Sequence, residues 1–278
     1  MITASQITDT VKKLCIESNY CLGNDCISSI ESALNKETNS LSKDVLAQII
    51  ENIKIASSEN LPICQDTGIA VVFVEIGCDC QIKGIDLDGT INEGIRQGYK
   101  EGYLRKSVVS DPLKRKNTGD NTPAVIHYEI VAGDKLKISV LPKGAGSENT
   151  SQIKMFAPQS AIEEIENFIV QVVKDAGSRP CPPIIVGVGI GGTFEKSAIL
   201  AKKTFLRSLG QRNNNLFYSE MEQRLIKKIN SLNIGPMGLG GVITALDVFI
   251  DYYPCHIASL PVSVNIQCWA ARHKEAVL

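Results

Sequence analysis

PPIIVGVGIGGTFEKSAILAKK, Pro182 to Lys203, decides which kind of fold to expect. Its β-branched run reads as a buried strand, its glycines as a turn, and its last half as a helix. Within it GVGIGG, Gly187 to Gly192, fits G-x-G-x-x-G between strand and helix, the setting of a dinucleotide site. A doubly wound dinucleotide fold also needs an acidic residue ending a second strand about 20 positions later. The chain there reads GQRNNNLF, Gly210 to Phe217. Three readings stay open for the motif: a nucleotide cofactor, a tight turn needing glycine dihedrals, or a helix N-terminus that takes an anion such as a substrate carboxylate.

Working outward, strands and helices alternate irregularly. SQITDTVKKLCIES, DCISSIESALNKE and SKDVLAQIIENIKIASS carry apolar residues at helical spacing, with Ser42 placed to cap the third. IAVVFVEIG is a strand, and DGTINEGIRQGYKEGYLRKS a helix despite its glycines. AVIHYEIVAGDKLKISVLPKG reads as a hairpin turning at Ala132, Gly133 and Asp134. PQSAIEEIENFIVQVVKDAG is a helix with Pro158 early and Gly177 as its stop. NLFYSEMEQRLIKKINSLN is a further helix, and the segment from Gly240 to His273 is strand-rich. The expectation is a mixed α/β (α+β) fold: one domain over residues 1–278, its first 60 residues helical, with mixed sheets flanked by helices.

The bulk properties exclude several classes. The 278 residues are 44% hydrophobic, ample for a core, and the net charge of −1 suggests neither nucleic acid nor an acidic membrane as partner. No apolar run is long enough to span a membrane, and MITASQITDTVKK lacks the pattern of a signal peptide. These features point to the cytoplasm, where nine cysteines would not form disulfides. Cys15, Cys21 and Cys26 fall in or between helical patterns and read as small buried hydrophobes. Cys78 and Cys80 form a C-x-C at a strand end. Cys64, Cys181, Cys255 and Cys268 lie in loop-rich segments. Besides GVGIGG, the glycine-dense KGAGSENTSQIKMFAP and IGPMGLGGVITALDV are either structural bends or places where backbone approaches a ligand.

Taken together, LPICQDTGIAVV, YLRKSVVSDPLKRKNTGDNTPAVIH, LPKGAGSENTSQIKMFAP, CPPIIVGVGIGGTFEKSAILAKK and IGPMGLGGVITALDVFIDYYPCHIASLPVSVNIQCWAARH resemble the class I, iron–sulfur-dependent fumarate and tartrate hydro-lyases, and within them the alpha component of the two-component forms. The resemblance runs from Leu61 to His273. It implies the fold of the N-terminal domain of class I fumarases and a 4Fe-4S cluster held by Cys64, Cys181 and Cys268, with Cys255 a bystander. Three thiolates leave one iron without a protein ligand, and such an iron acts as a Lewis acid towards a substrate oxygen.

By the same resemblance Gln65 and Asp66 touch the substrate, with Asp66 the candidate for proton transfer at its hydroxyl; read alone, Asp66 equally suits a loop-capping carboxylate. Thr67 then caps the turn. Arg105 matches an arginine that forks onto a substrate carboxylate, with Arg115 as the nearby competitor. Gly146 matches a glycine whose backbone approaches substrate, although Ala145 stands where relatives often carry another glycine. His256 matches a substrate-contacting histidine. His127 suits a packed strand position, and His273 has no role.

The resemblance further implies a separate beta subunit supplying the second half of the site, an oligomer of alpha–beta pairs, and a small dicarboxylate substrate. The chain ends at Leu278, before the second domain that single-chain relatives carry. Reversible hydration of fumarate to L-malate is the leading expectation and dehydration of L(+)-tartrate the alternative. A nucleotide-binding oxidoreductase and a non-catalytic cluster sensor are the other classes.

Overall fold

A computed structural model describes residues 2–82 and 84–278. In chain order they form α1 (Ala4–Tyr20), α2 (Asn24–Lys36), α3 (Ser40–Glu59), β1 (Ile69–Gly77), α4 (Leu87–Glu101), β2 (Val125–Val131) and β3 (Leu136–Lys143). A one-turn α5 (Ala145–Glu148), β4 (Gln152–Phe156), α6 (Ile162–Ala176), β5 (Ile184–Gly191) and α7 (Phe194–Lys203) follow. The chain ends with α8 (Leu216–Asn230), β6 (Ala245–Tyr253), β7 (Leu260–Gln267) and β8 (Lys274–Val277). The fold is mixed α/β, as expected. Backbone contacts divide it into two compact units, the first being Met1–Leu22, Ile53–Ala145 and Arg272–Leu278, the second Gly23–Asn52 and Gly146–Ala271.

The first unit is built on a sheet in the order β2-β1-β3-β8. β1 is parallel to β2 and antiparallel to β3. The expected hairpin is therefore corrected: both strands form, but β1 lies between them. Positions 70–74 of β1 are all buried, so this strand is apolar on both faces and takes the interior place, while β2 tolerates the edge. The link after β2 wraps the end of β1. Gly77 donates to the Lys135 carbonyl at 2.8 Å, and Cys78 to that of Val131 at 2.9 Å. Against one face of the sheet pack Ile7, Val11, Leu14 and Cys15 of α1 with Ile91, Ile95 and Tyr99 of α4. Gly94 and Gly98 let these helices approach: a Cβ on either would stand within 2.8 Å of Val11 or Cys15. β8 went unread in the sequence because four residues give no period to recognise.

The second unit carries the sheet β4-β7-β5-β6, with β5 parallel to β6 and antiparallel to β7. Ile169, Val172 and Val173 of α6 and Met221, Leu225 and Ile229 of α8 fill one face. α7 covers β5, and this explains GVGIGG. A Cβ on Gly187 would stand 2.2 Å from the Ala201 carbonyl oxygen, and one on Gly189 2.0 Å from that of Ser197. Two of the motif's glycines are thus seats for a helix. Two smaller expectations need correction. α3 starts at Ser40, and Asn39 Oδ1 accepts the Ser42 N–H at 3.2 Å; buried Ser42 instead donates to the Gly240 carbonyl. α6 starts at Ile162, so Pro158 lies in the turn before it, while Gly177 ends the helix at φ 57°.

Candidate active site

In the first unit the loop before β1 carries Cys64, Gln65 and Asp66. Cys64 is half-buried and Gln65 exposed. The Asp66 N–H points at Cys64 Sγ, 3.4 Å away, an interaction of the kind that tunes thiolate ligands. Asp66 is fixed from three sides. Its Oδ1 accepts the Gly68 N–H at 3.0 Å, its Oδ2 the Ala145 N–H at 2.9 Å, and its carbonyl the Arg272 Nη1 at 2.7 Å. Arg272 is only 2% exposed, also donates to Asn19 Oδ1, and has no hydrogen-bond partner for Nε among the described residues. An arginine so buried needs acceptors close by, and the Asp66 carbonyl is one.

A brace then ties this loop to the segment bearing Arg105. The Thr67 hydroxyl donates to the Arg105 carbonyl at 3.0 Å. Asn121 Nδ2 donates to the Gly68 carbonyl at 3.2 Å, while its Oδ1 accepts the N–H groups of Ser107 and Val108. The Tyr99 hydroxyl donates to the carbonyls of Thr67 and Gly68, and burial raises its pKa above the ordinary 10.0. Thr67 therefore positions the arginine's main chain and does more than cap a turn. The Arg105 guanidinium itself is exposed and makes no hydrogen bond or ion pair among the described residues. Arg115, also exposed, adopts φ 59°.

In the second unit, strand register gathers three of the sequence candidates. Ile185 of β5 faces Gln267 of β7, so Cys181, just before β5, and Cys268, just after β7, emerge at one end of the sheet. Gln152 faces Val264, which brings the chain from Gly146 to the same end. Cys181 is exposed and holds φ 56°, a left-handed conformation uncommon outside glycine. A Cβ on Gly146 would stand 3.0 Å from the Arg179 carbonyl oxygen, two residues before Cys181. Met237 donates to the Pro182 carbonyl at 2.8 Å. The glycine turn that follows is held by Glu37, whose carboxylate accepts N–H groups from Thr38, Asn39, Val242 and Ile243. Burial pulls the Glu37 pKa up, but those four donors outweigh it and hold it below 4.5.

His256 lies elsewhere. It occupies the β6–β7 connection, and the pairings Gly191 with Tyr253 and Ile190 with Val262 put that connection at the opposite end of the sheet. The eight residues of β5 separate the two ends by roughly 25 Å. His256 is exposed, and its Nδ1 accepts the Ala258 N–H at 3.0 Å; Cys255 beside it donates to the Ser259 carbonyl. Within one chain the fold does not bring His256 to Cys181 and Cys268.

The donor set suits a cluster. Among the described residues no group of three or more His, Cys, Asp or Glu side chains could hold a metal ion. A cubane, however, gives each thiolate its own iron, so its ligands need not converge on one point. Soft thiolates are the ligands such clusters take, and Cys64, Cys181 and Cys268 are all at least partly accessible. The contrast is with Cys15 and Cys26. Burial raises the first and pushes the second up to about 12, so both stay protonated and inert. Asn121, Tyr99, Arg272 and Glu37 were missed in the sequence. Each acts on main chain that is distant in sequence, and no local pattern announces that.

The fumarate hydratase (Fumerase) family model matches residues 8–277. A Methanocaldococcus jannaschii protein with the provisional name L(+)-tartrate dehydratase subunit alpha is 45% identical over 273 residues, 96% of this chain and 95% of its own. The L(+)-tartrate dehydratase subunit alpha of Escherichia coli K12 is 29% identical over 271 residues, 96% of this chain and 89% of its own.

Proposed function

The chain belongs to the fumarate hydratase family of hydro-lyases, and on that premise we propose that it is the cluster-bearing alpha subunit of a two-subunit enzyme hydrating fumarate to L-malate. The observation that carries the reading is the brace in the first unit, which ties the loop bearing Cys64, Gln65 and Asp66 to the main chain of Arg105. Cys64, Cys181 and Cys268 would hold a 4Fe-4S cluster. When bound, the cluster supplies a Lewis acid for a substrate oxygen. Asp66, immobile between the Gly68 and Ala145 N–H groups, exchanges a proton at the substrate hydroxyl. Arg105 pairs bidentately with a substrate carboxylate, Gln65 hydrogen-bonds to the substrate, and the Gly146 backbone borders it. The base at carbon and the remaining carboxylate contacts come from a beta subunit, for which the relatives' subunit names are the support. His256 has no part in this set within one chain.

A second reading has its own support. Both relatives carry the name of a tartrate dehydratase subunit, one of them provisionally, and dehydration of L(+)-tartrate to oxaloacetate needs the same groups around one more hydroxyl. The test is anaerobic reconstitution with iron and sulfide, alone and with the beta subunit. Replacing Cys64, Cys181 or Cys268 by serine should each greatly lower bound iron and sulfide, while Cys255→Ser retains them. Equal loss in all four overturns the ligand set. Comparing kcat/KM of the two-subunit enzyme for malate and tartrate then decides the substrate, and a preference for tartrate makes the second reading the correct one.

A further inference from the structure

The loop that carries Cys181 is held from a distance by one buried carboxylate. Cys181 and Met237 are both left-handed, at φ 56° and 52°, a conformation that residues other than glycine keep only where their surroundings over-determine it. The turn around Met237 touches the chain on both sides of Cys181. Met237 donates its N–H to the Pro182 carbonyl at 2.8 Å, just after the cysteine. Before it, a Cβ on Gly238 would stand 2.4 Å from the Ser178 Cβ, and the Ser178 carbonyl accepts the Cys181 N–H at 3.0 Å. The glycine turn over residues 235–243 is therefore the support on which residues 178–182 rest.

That turn is itself clasped by residues 37–42. Glu37 closes the end of α2, where its N–H donates to the Ala33 carbonyl at 2.9 Å. Its Oε1 accepts the N–H groups of Thr38, Asn39 and Val242, and its Oε2 that of Ile243, at 2.8 to 3.1 Å. Ser42 donates to the Gly240 carbonyl from the same side. Glu37 is 1% exposed, so bulk water cannot replace a lost acceptor. All four donors need an oxygen. A neutral amide of the same shape must turn its NH2 towards at least one of them, and a buried donor left facing a donor is costly.

We propose that Glu37 is the positioning residue for Cys181: its carboxylate holds the glycine turn, and the turn fixes the backbone from which the thiol reaches a cluster iron. The inference rests on the reading of Cys181 as a cluster ligand. The full-length chain and its Glu37→Gln variant are reconstituted anaerobically with iron and sulfide, and the release of iron to a chelator is timed. Glu37→Gln should lose iron about tenfold faster, the low end of what partners behind a metal ligand control. Visible circular dichroism of the cluster, which senses how its thiolates are arranged, should change with it. Glu166→Gln alters another buried carboxylate, between α6 and α8, and should release iron at the parental rate with an unchanged spectrum. Ser42→Ala loosens the same clasp by one bond and should fall between the parent and Glu37→Gln. Release at the parental rate in Glu37→Gln overturns the proposal; if that variant does not fold, release at the parental rate in Ser42→Ala does so. Equal acceleration by Glu166→Gln also overturns it, because the effect is then one of general stability. A parent that assembles no cluster is a separate result: it overturns the cluster reading, and this inference with it.

Discussion

β2 and β6 hold the same place in their sheets, each an edge strand parallel to a central strand, yet their outer rows are treated in opposite ways. Along β6 side chains stand in for the missing neighbour. Ile250 donates its N–H to Glu222 Oε1 at 2.8 Å, and its carbonyl accepts from Asn213 at 2.8 Å and Arg207 at 3.1 Å. Arg212 pairs with Asp247 on the strand itself, and α8 lies over the face. Among the described residues β2 has no such row of caps at Ile126, Tyr128 or Ile130. An edge closed by side chains belongs to one chain for good, whereas an edge left as bare backbone is available to another.

The largest effect should come from opening the closed edge. Glu222 is fully buried and pairs with Arg207 at 2.9 Å. Glu222→Ala should destabilise the chain by about 3 kcal/mol, because it removes the buried carboxylate that pairs with half-buried Arg207 and caps the Ile250 N–H. Denaturant unfolding is the check, and a loss below about 1 kcal/mol would mean that water caps β6 as well as protein does. Asn213→Ala removes one neutral bond to the Ile250 carbonyl and should cost about 1 kcal/mol in the same measurement.

A smaller effect depends on pH. Glu166 of α6 anchors α8 through Arg224 and Lys228. Burial raises its pKa, but Lys228 and Arg224 outweigh that and bring it below the ordinary 4.5. A carboxyl lowered in the folded state stabilises above its unfolded pKa and loses that contribution as pH falls through the folded value. Glu166→Gln should therefore flatten the decline in stability below pH 4.5, read from melting temperatures across an acid series. The smallest effect sharpens the contrast from the other side: Ile130→Lys on the bare edge should change monomer stability by less than about 0.5 kcal/mol.

The sequence revealed what repeats locally. The long helices and the strands β1 and β5 follow from apolar spacing, and Gly177 stops α6 as read. What it hid is choice among partners. AVIHYEIV and KLKISVLPK alternate as hairpin strands do, and nothing within either stretch says that β1 will lie between them; only the burial of β1 on both faces decides it. In the candidate site the three cysteines are singled out by a family resemblance and by no local spacing. Asn121 and Arg272 stayed silent because each holds main chain many residues away. The same limit applies to His256, which stands twelve positions before Cys268 but a whole strand length from it in space.

The brace around Arg105 has a consequence for anyone wishing to redesign the molecule. The Tyr99 carbonyl holds the Leu104 N–H just before that residue, Thr67 and Asn121 hold the main chain just after it, and the guanidinium itself is left ungripped. Whatever is written at position 105 is thus displayed from the same mount, like a tool in a fixed holder. Lysine, glutamine or histidine can be exchanged there to change what that position presents while the scaffold stays as it is.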